Sequence, residues 1–136
     1  MSGKRANPAG ATVVVLDAGA LIAIERNDER MAALLAKSSA QATEFCIPAG
    51  AVAQAWRAGS RQARLARLLT DPAVNVVPLD DIRARAAGLL CGVTNTSDVI
   101  DASVVLCARE RGRARIITGD PDDLARLDPH ARIVAL

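Results

Sequence analysis

Aromatic side chains are almost missing from this 136-residue chain: Phe45 and Trp56 stand alone, and there is no tyrosine. That scarcity disfavours single-strand binders that stack bases on exposed rings. Lysine is nearly absent as well, since Lys4 and Lys37 are the two lysines among 17 basic residues and the rest are arginine. Histidine occurs once, as His130, in a segment that reads as a turn near the C-terminus, which leaves nucleophilic triads without a credible base. The three cysteines, Cys46, Cys91 and Cys107, are odd in number, far apart and set in apolar surroundings. They offer neither a disulfide framework nor zinc-ligand spacing, so buried small hydrophobes in a reducing cytoplasm are the expectation. No apolar run is long enough to cross a bilayer, because the longest, Ala11 to Ile24, is interrupted by Asp17 and Gly19. Lys4 and Arg5 precede it as in a signal peptide, but the mid-segment Asp and the lack of a cleavage site argue against export.

What is present indicates a folded domain: 51% of residues are apolar, 24% are charged, and the net charge is only +2. This length suits one domain. Residues 1–10 are small, polar and interrupted by Pro and Gly, which predicts a flexible lead-in to a single domain over residues 11–136. Thr12 to Leu16 is a continuous β-branched run of the kind buried on both faces in a parallel sheet. Further strands are expected at Glu44 to Ile47, Val74 to Val77 (as a second core strand), Arg115 to Thr118 and Arg132 to Ala135. Helical segments fall between them: Ala18 to Arg26, Asp28 to Ala40, Ala49 to Ala58, Arg61 to Leu69, Asp81 to Cys91, Ser97 to Arg111 and Pro121 to Leu127. A turn is expected at Gly92 to Thr96. Short apolar strands alternating with helices imply an α/β domain with a mainly parallel central sheet and right-handed crossovers.

In such a sheet, sites form where strands end and loops turn into helices. Asp17 follows the first strand directly, and Asp120 follows the RIITG stretch. Asp98 and Asp101 open the long helix three residues apart, on one face. Each acid also suits a structural duty: Asp17 and Asp120 as N-caps, the latter with Pro121 at the first helical position, and Asp98 as a complement to the helix dipole. Asp101 is harder to assign to structure. Its neighbours at i+3, i+4 and i+7 are Val104, Val105 and Ala108, so it lies on the face expected to meet the sheet, with no Lys or Arg one turn away. Convergent carboxylates raise one another's pKa unless a cation joins them. Hard oxygen ligands suit Mg²⁺ or Mn²⁺, which can activate water or clamp the oxygens of a phosphodiester displacement. The reaction class that follows is a metal-dependent nuclease or phosphatase.

Three rival α/β readings fail on single residues. A phospho-receiver domain needs a late-strand lysine, which this chain lacks. A haloacid-dehalogenase-like phosphatase needs an Asp two residues after the first, where Gly19 stands. Dinucleotide binding needs a glycine fingerprint after the first strand, where the sequence is DAGALIAI.

Three stretches, VVVLDAGALIAI, SDVIDASVVLCARERG and IITGDPDDL, together resemble the signature segments of PIN-domain ribonucleases, and in particular VapC-like toxins of type II toxin–antitoxin systems. The likeness runs from about Ala11 to the C-terminus. It implies a three-layer α/β/α sandwich and a metal-dependent ribonuclease acting on RNA with Mg²⁺ or Mn²⁺. It also implies a homodimer and a cognate antitoxin. Carried over residue by residue, it makes Asp17, Asp101 and Asp120 the catalytic acids and metal ligands, with Asp98 as an extra ligand and Thr118 helping through its hydroxyl. Asp123 reads instead as a first-turn dipole complement.

The second family acid is replaced. In the pattern IPAGAVAQAWR its position is taken by Gln54, which offers a metal a carbonyl oxygen but no charge. Glu25 and Glu44 are the possible substitutes, although Glu44 precedes a strand and is expected to point elsewhere, and a catalytically degenerate PIN-like RNA- or protein-binding module is the alternative function. Arg57, Arg61, Arg64 and Arg67 recur at helical spacing and are the candidate RNA contacts, and Arg109, Arg111, Arg113 and Arg115 form a second basic cluster. For both, a solvated helix face is the plainer explanation. Leu34, Leu35, Leu65, Leu68 and Leu69, beside Trp56, belong to the early helices, where the family receives its antitoxin, with core packing as the default.

Overall fold

A computed structural model describes residues 12–136; the expected lead-in over residues 1–10 lies outside the described residues. The β-branched runs pair as one five-stranded parallel sheet: β1 Val13–Leu16, β2 Glu44–Pro48, β3 Val74–Val77, β4 Arg115–Thr118 and β5 Arg132–Ala135. The strand order is β3-β2-β1-β4-β5, which puts β1, the first in sequence, at the centre. Val15 lies opposite Cys46 on one side and Ile116 on the other. Parallel neighbours need crossovers, and helices supply them: α1 Ala18–Glu25, α2 Glu29–Ala40, α3 Ala49–Ala55, α4 Ala63–Leu69, α5 Asp81–Thr94, α6 Val99–Arg109 and α7 Pro121–Leu127.

The period-2 alternation of the strands decides which helices cover which face. Val14, Leu16, Phe45, Ile47 and Ile117 point to one side, where Leu21, Ile24, Met31, Ala51 and Leu65 of α1 to α4 close over them. Val15, Cys46, Val77 and Ile116 point to the other, against Ala87, Cys91, Val104, Val105, Leu124 and Leu127 of α5 to α7. The result is the expected three-layer α/β/α sandwich. Leu65 is fully buried, and Leu34, Leu35, Leu68 and Leu69 pack half-buried against the same core, which satisfies the default reading of those leucines. All three cysteines are free and buried, and burial pushes the Cys107 thiol up to about 12, so that it behaves as a hydrophobe. Among the described residues no single helix is long and apolar enough to cross a membrane.

Four local expectations are corrected. The helix expected over Ala49 to Ala58 stops at Ala55, where Trp56 turns extended, and a 3-10 turn follows at Gly59–Arg61. Gln62 stitches the break. Its Oε1 accepts from the Arg57 and Ala58 amides at 2.8 and 3.1 Å, and its Nε2 donates to the Ala55 carbonyl at 2.9 Å. Second, α5 runs through Gly92 to Thr94 and ends where Asn95 takes a left-handed conformation, so the turn expected from Gly92 begins later. Third, the long helix is Val99–Arg109, two residues shorter at each end than expected. Finally, Val74–Val77 is an edge strand rather than a core strand, and Val76 is 40% exposed.

Gly88 and Gly92 sit inside α5 with nothing within 4 Å of an added Cβ. Gly88→Ala and Gly92→Ala should therefore each raise stability by about 0.5–1 kcal/mol, read as a higher urea midpoint at unchanged slope.

Candidate active site

Strand order places the site before any side chain is considered. From β1 the chain builds the sheet toward β2 and β3 on one side and later returns to lay β4 and β5 on the other. The crevice of an open parallel sheet forms at such a reversal, outside the carboxyl ends of the strands. Asp17 leaves the end of β1, and Gly119 and Asp120 leave the end of β4. Because the chain leaves the C-terminus of α6 to enter the start of β4, the N-terminus of α6, with Asp98 and Asp101, returns to the same end of the sheet.

Asp17 is 3% exposed, and every contact it makes is a donor. Its Oδ1 accepts from the Ala20 amide at 2.9 Å, the expected cap on α1, and its Oδ2 accepts from the Thr118 hydroxyl. Thr118, fully buried, in turn accepts from the Asp120 amide at 2.7 Å. One hydroxyl thus ties the turn after β1 to the turn after β4, with its proton on Asp17. Burial raises the Asp17 carboxyl above its usual range, and the negative charge of Asp120 adds to the rise. The bonds from Thr118, Ala20 and the Gly119 amide work against it. Asp120 stands at the N-cap position of α7, with Pro121 following, yet its side chain makes no capping bond. Asp120 is exposed.

Asp98 does cap its helix: Oδ1 accepts from the Ile100 and Asp101 amides at 3.1 and 3.0 Å. Asp101, one turn inside and 8% exposed, is pushed up to about 7. Burial is the largest cause, followed by the charge of Asp98 and a hydrogen bond to it, then by the charges of Asp120 and Asp17. The four acids therefore share one electrostatic field. Asp128 is the instructive contrast, because sequence reasoning gave it no role. It is 4% exposed, and burial alone would raise it. The His130 amide and the guanidinium groups of Arg109, at 3.0 Å, and Arg113, at 3.8 Å, outweigh burial and hold it below the usual carboxylate range. The buried acid with a structural job has its cations; among the described residues Asp17 and Asp101 form no ion pair.

The donor set is right for a hard divalent cation: oxygen ligands, surplus negative charge and no competing basic side chain. Among the described residues, however, no three His, Cys, Asp or Glu side chains stand close enough to chelate an ion directly. Such an arrangement suits an ion that keeps several of its waters and meets some carboxylates through them.

The remaining candidates divide. Gln54 is exposed on α3, and its side chain makes no hydrogen bond among the described residues. It lies one turn beyond Gly50, where an added Cβ would come within 2.4 Å of Ile100, so the Gln54 face of α3 is the one that meets the start of α6. Glu25 is not a substitute ligand, because its Oε1 accepts from the Leu65 amide at 3.3 Å in the first turn of α4. Glu44 is not one either, since it begins β2 and so lies at the opposite end of the sheet. The four-arginine stripe does not exist as one helix face. Arg57 and Arg61 fall in the break around the 3-10 turn, and Arg64 and Arg67 lie on α4. Arg57 Nη1 is pinned to the Trp56 carbonyl at 2.7 Å. The second basic cluster sits at the amino ends of the strands, where Arg109 and Arg113 serve Asp128. Asp123 pairs with Arg126 in the first turn of α7, away from ligand duty.

Against known proteins, a family model described as PIN domain matches residues 14–128, a span that contains all four acids. The chain belongs to the PIN-domain family. PIN domains are generally nucleases, so that is the reaction class the family supports. No curated protein matches the chain by sequence. Among solved structures, VapBC2 from Rickettsia felis bound to a DNA fragment from its promoter is similar at 13% identity and a TM-score of 0.64, covering 92% of this chain and 99% of that one. FitAB bound to the IR36 DNA fragment is similar at 15% identity and a TM-score of 0.64, covering 90% and 94%. At these identities the likeness speaks for the fold, and it extends over nearly the whole PIN domain.

The raised value of Asp101 makes stability fall with pH. The folded protein keeps the Asp101 proton up to about 7, whereas an unfolded chain releases it near 3.8. The penalty is therefore absent below the lower value, grows across that window and is complete above the upper one. In metal-free protein, Asp101→Asn should raise stability by on the order of 2 kcal/mol at pH 8. It should change stability little at pH 4, as read by thermal unfolding at both pH values.

Proposed function

We propose that this PIN domain is a metal-dependent ribonuclease, the toxin of a toxin–antitoxin pair. The observation that carries the reading is the contrast among its buried acids. Asp128 is neutralised by arginines, while Asp101 feels the charges of Asp98, Asp120 and Asp17, Asp17 feels that of Asp120, and neither forms an ion pair among the described residues. Mg²⁺ or Mn²⁺ bound there would polarise a phosphodiester and activate the attacking water.

The residues divide the remaining work. Asp17 is held in one orientation by Ala20 and Thr118 and presents a fixed oxygen pair. Asp98 commits Oδ1 to its helix and shares a hydrogen bond with Asp101, so it would meet the ion together with that neighbour. Asp101, raised to about 7, would have to release its proton to serve as a ligand, so that ion uptake would be coupled to proton release. Asp120 stands exposed where a substrate phosphate would approach with the ion. Gln54, at the position of the second family acid, adds no charge and weakens ion binding. Arg57, Arg61 and Arg64 are exposed and form no ion pairs among the described residues, which suits contacts to RNA phosphates.

An antitoxin partner is supported by the two structural neighbours, both solved as VapBC or FitAB complexes on DNA. A homodimer is supported by apolar side chains left open on α5, where Ile82, Leu89 and Val93 are each more than two-thirds exposed. Free buried thiols suit the cytoplasm. The degenerate binding module is favoured by Gln54 alone.

Incubation of the purified protein with a mixed RNA pool and Mn²⁺ tests the reading. Cleavage is expected, with loss of roughly a hundredfold or more in Asp101→Asn. RNA binding without cleavage in any divalent ion would establish the binding module instead. Gln54→Glu should tighten Mn²⁺ binding by about tenfold in calorimetry, because it adds the missing charge to the field.

A further inference from the structure

Gly19 and Gly119 meet backbone to backbone between the two strand ends that carry Asp17 and Asp120. A Cβ added to Gly19 would lie 3.0 Å from both Cα and N of Gly119 and 3.4 Å from Asp17 Oδ1. The first two are backbone atoms, which cannot swing aside as a flexible side chain would. Gly19 lies in the first turn of α1, where alanine is the better helix former, so local preference does not call for glycine. Its backbone is not in the left-handed region either. What calls for glycine is the approach of Gly119. The relation is asymmetric, because a Cβ on Gly119 would meet only Gly19 Cα, at an ordinary 3.4 Å.

We propose that Gly19 is a positioning residue: its missing side chain lets the turn after β4 seat on the turn after β1, so that the Gly119 amide and the Thr118 hydroxyl hold the Asp17 carboxylate beside Asp120. An alanine methyl at position 19 would occupy the space between the Gly119 nitrogen and Asp17 Oδ1. The two turns would be wedged apart, and Asp17 would lose donors that fix its orientation. The consequence for ion binding rests on the nuclease reading above; the seating of the two turns does not.

The test compares Gly19→Ala with Gly88→Ala, a glycine-to-alanine control in the open face of α5. Amide hydrogen exchange at Gly119 and Asp120 reports the seating, and calorimetry with Mn²⁺ alone reports the socket. Gly19→Ala should exchange both amides faster and bind Mn²⁺ more weakly, each by about tenfold, as expected for losing a hydrogen bond to a charged group. Gly88→Ala should stay within roughly twofold of the parent protein. Unchanged exchange in Gly19→Ala, or an equal disturbance in Gly88→Ala, overturns the proposal. If the parent protein takes up no Mn²⁺, the nuclease reading falls and the exchange measurement still decides the seating. Should Gly19→Ala not fold, Thr118→Val cuts the same tie from the other side. Faster exchange at Gly119 in that variant, restored by Thr118→Ser, supports the proposal, and parent-like exchange in Thr118→Val overturns it.

Discussion

Carboxylates taken out of water must be neutralised, protonated or joined by a cation. This chain uses the first solution at Asp128, where Arg109 and Arg113 converge on a buried acid and the product is a rigid link between α6 and the end of α7. It uses the second at Asp101, which keeps its proton to about 7 because burial and three neighbouring acids oppose its charge. The third is available at the same place. Such a field, maintained at the cost of stability, is what the proposed divalent ion would relieve. The sheet order serves that field, since only the reversal between β1 and β4 puts the ends of two strands and the start of α6 around one crevice.

Much of this was legible in the chain because the signals were local. Val13–Leu16, Arg115–Thr118 and Arg132–Ala135 are β-branched or apolar runs with polar boundaries, and each forms its strand where that pattern places it. Asp17 and Asp120 declared themselves by following strands directly, and Asp101 by standing on an apolar helix face. Thr118 was legible as a helper, although its double role needed coordinates to reveal.

What escaped the sequence depends on distant partners. The stripe from Arg57 to Arg67 keeps helical spacing, but Gln62 substitutes its own amide for helix hydrogen bonds and breaks the run, an exchange that spacing does not encode. Asp128 looks like an ordinary loop acid until Arg109, 19 residues earlier, folds onto it. The Gly19 and Gly119 contact joins residues 100 positions apart, and each glycine alone reads as a permissive turn residue. On α5, Ile82, Leu89 and Val93 stay open while the smaller Ala87 and Cys91 turn inward, a division that depends on which face meets the sheet.

The outermost strand β3 has a consequence of its own. A lateral row of unpaired amides and carbonyls is a template on which a second molecule can extend a sheet. Here the row is only four residues long, Pro72 stands just before it and Pro78 directly after it. Proline cannot donate to a growing ladder, and the Ala73 amide between Pro72 and the strand is already spent on Asp71 Oδ1 at 2.8 Å, so an incoming strand finds no free amide at either flank. That border therefore gives fibril-type stacking little to build on.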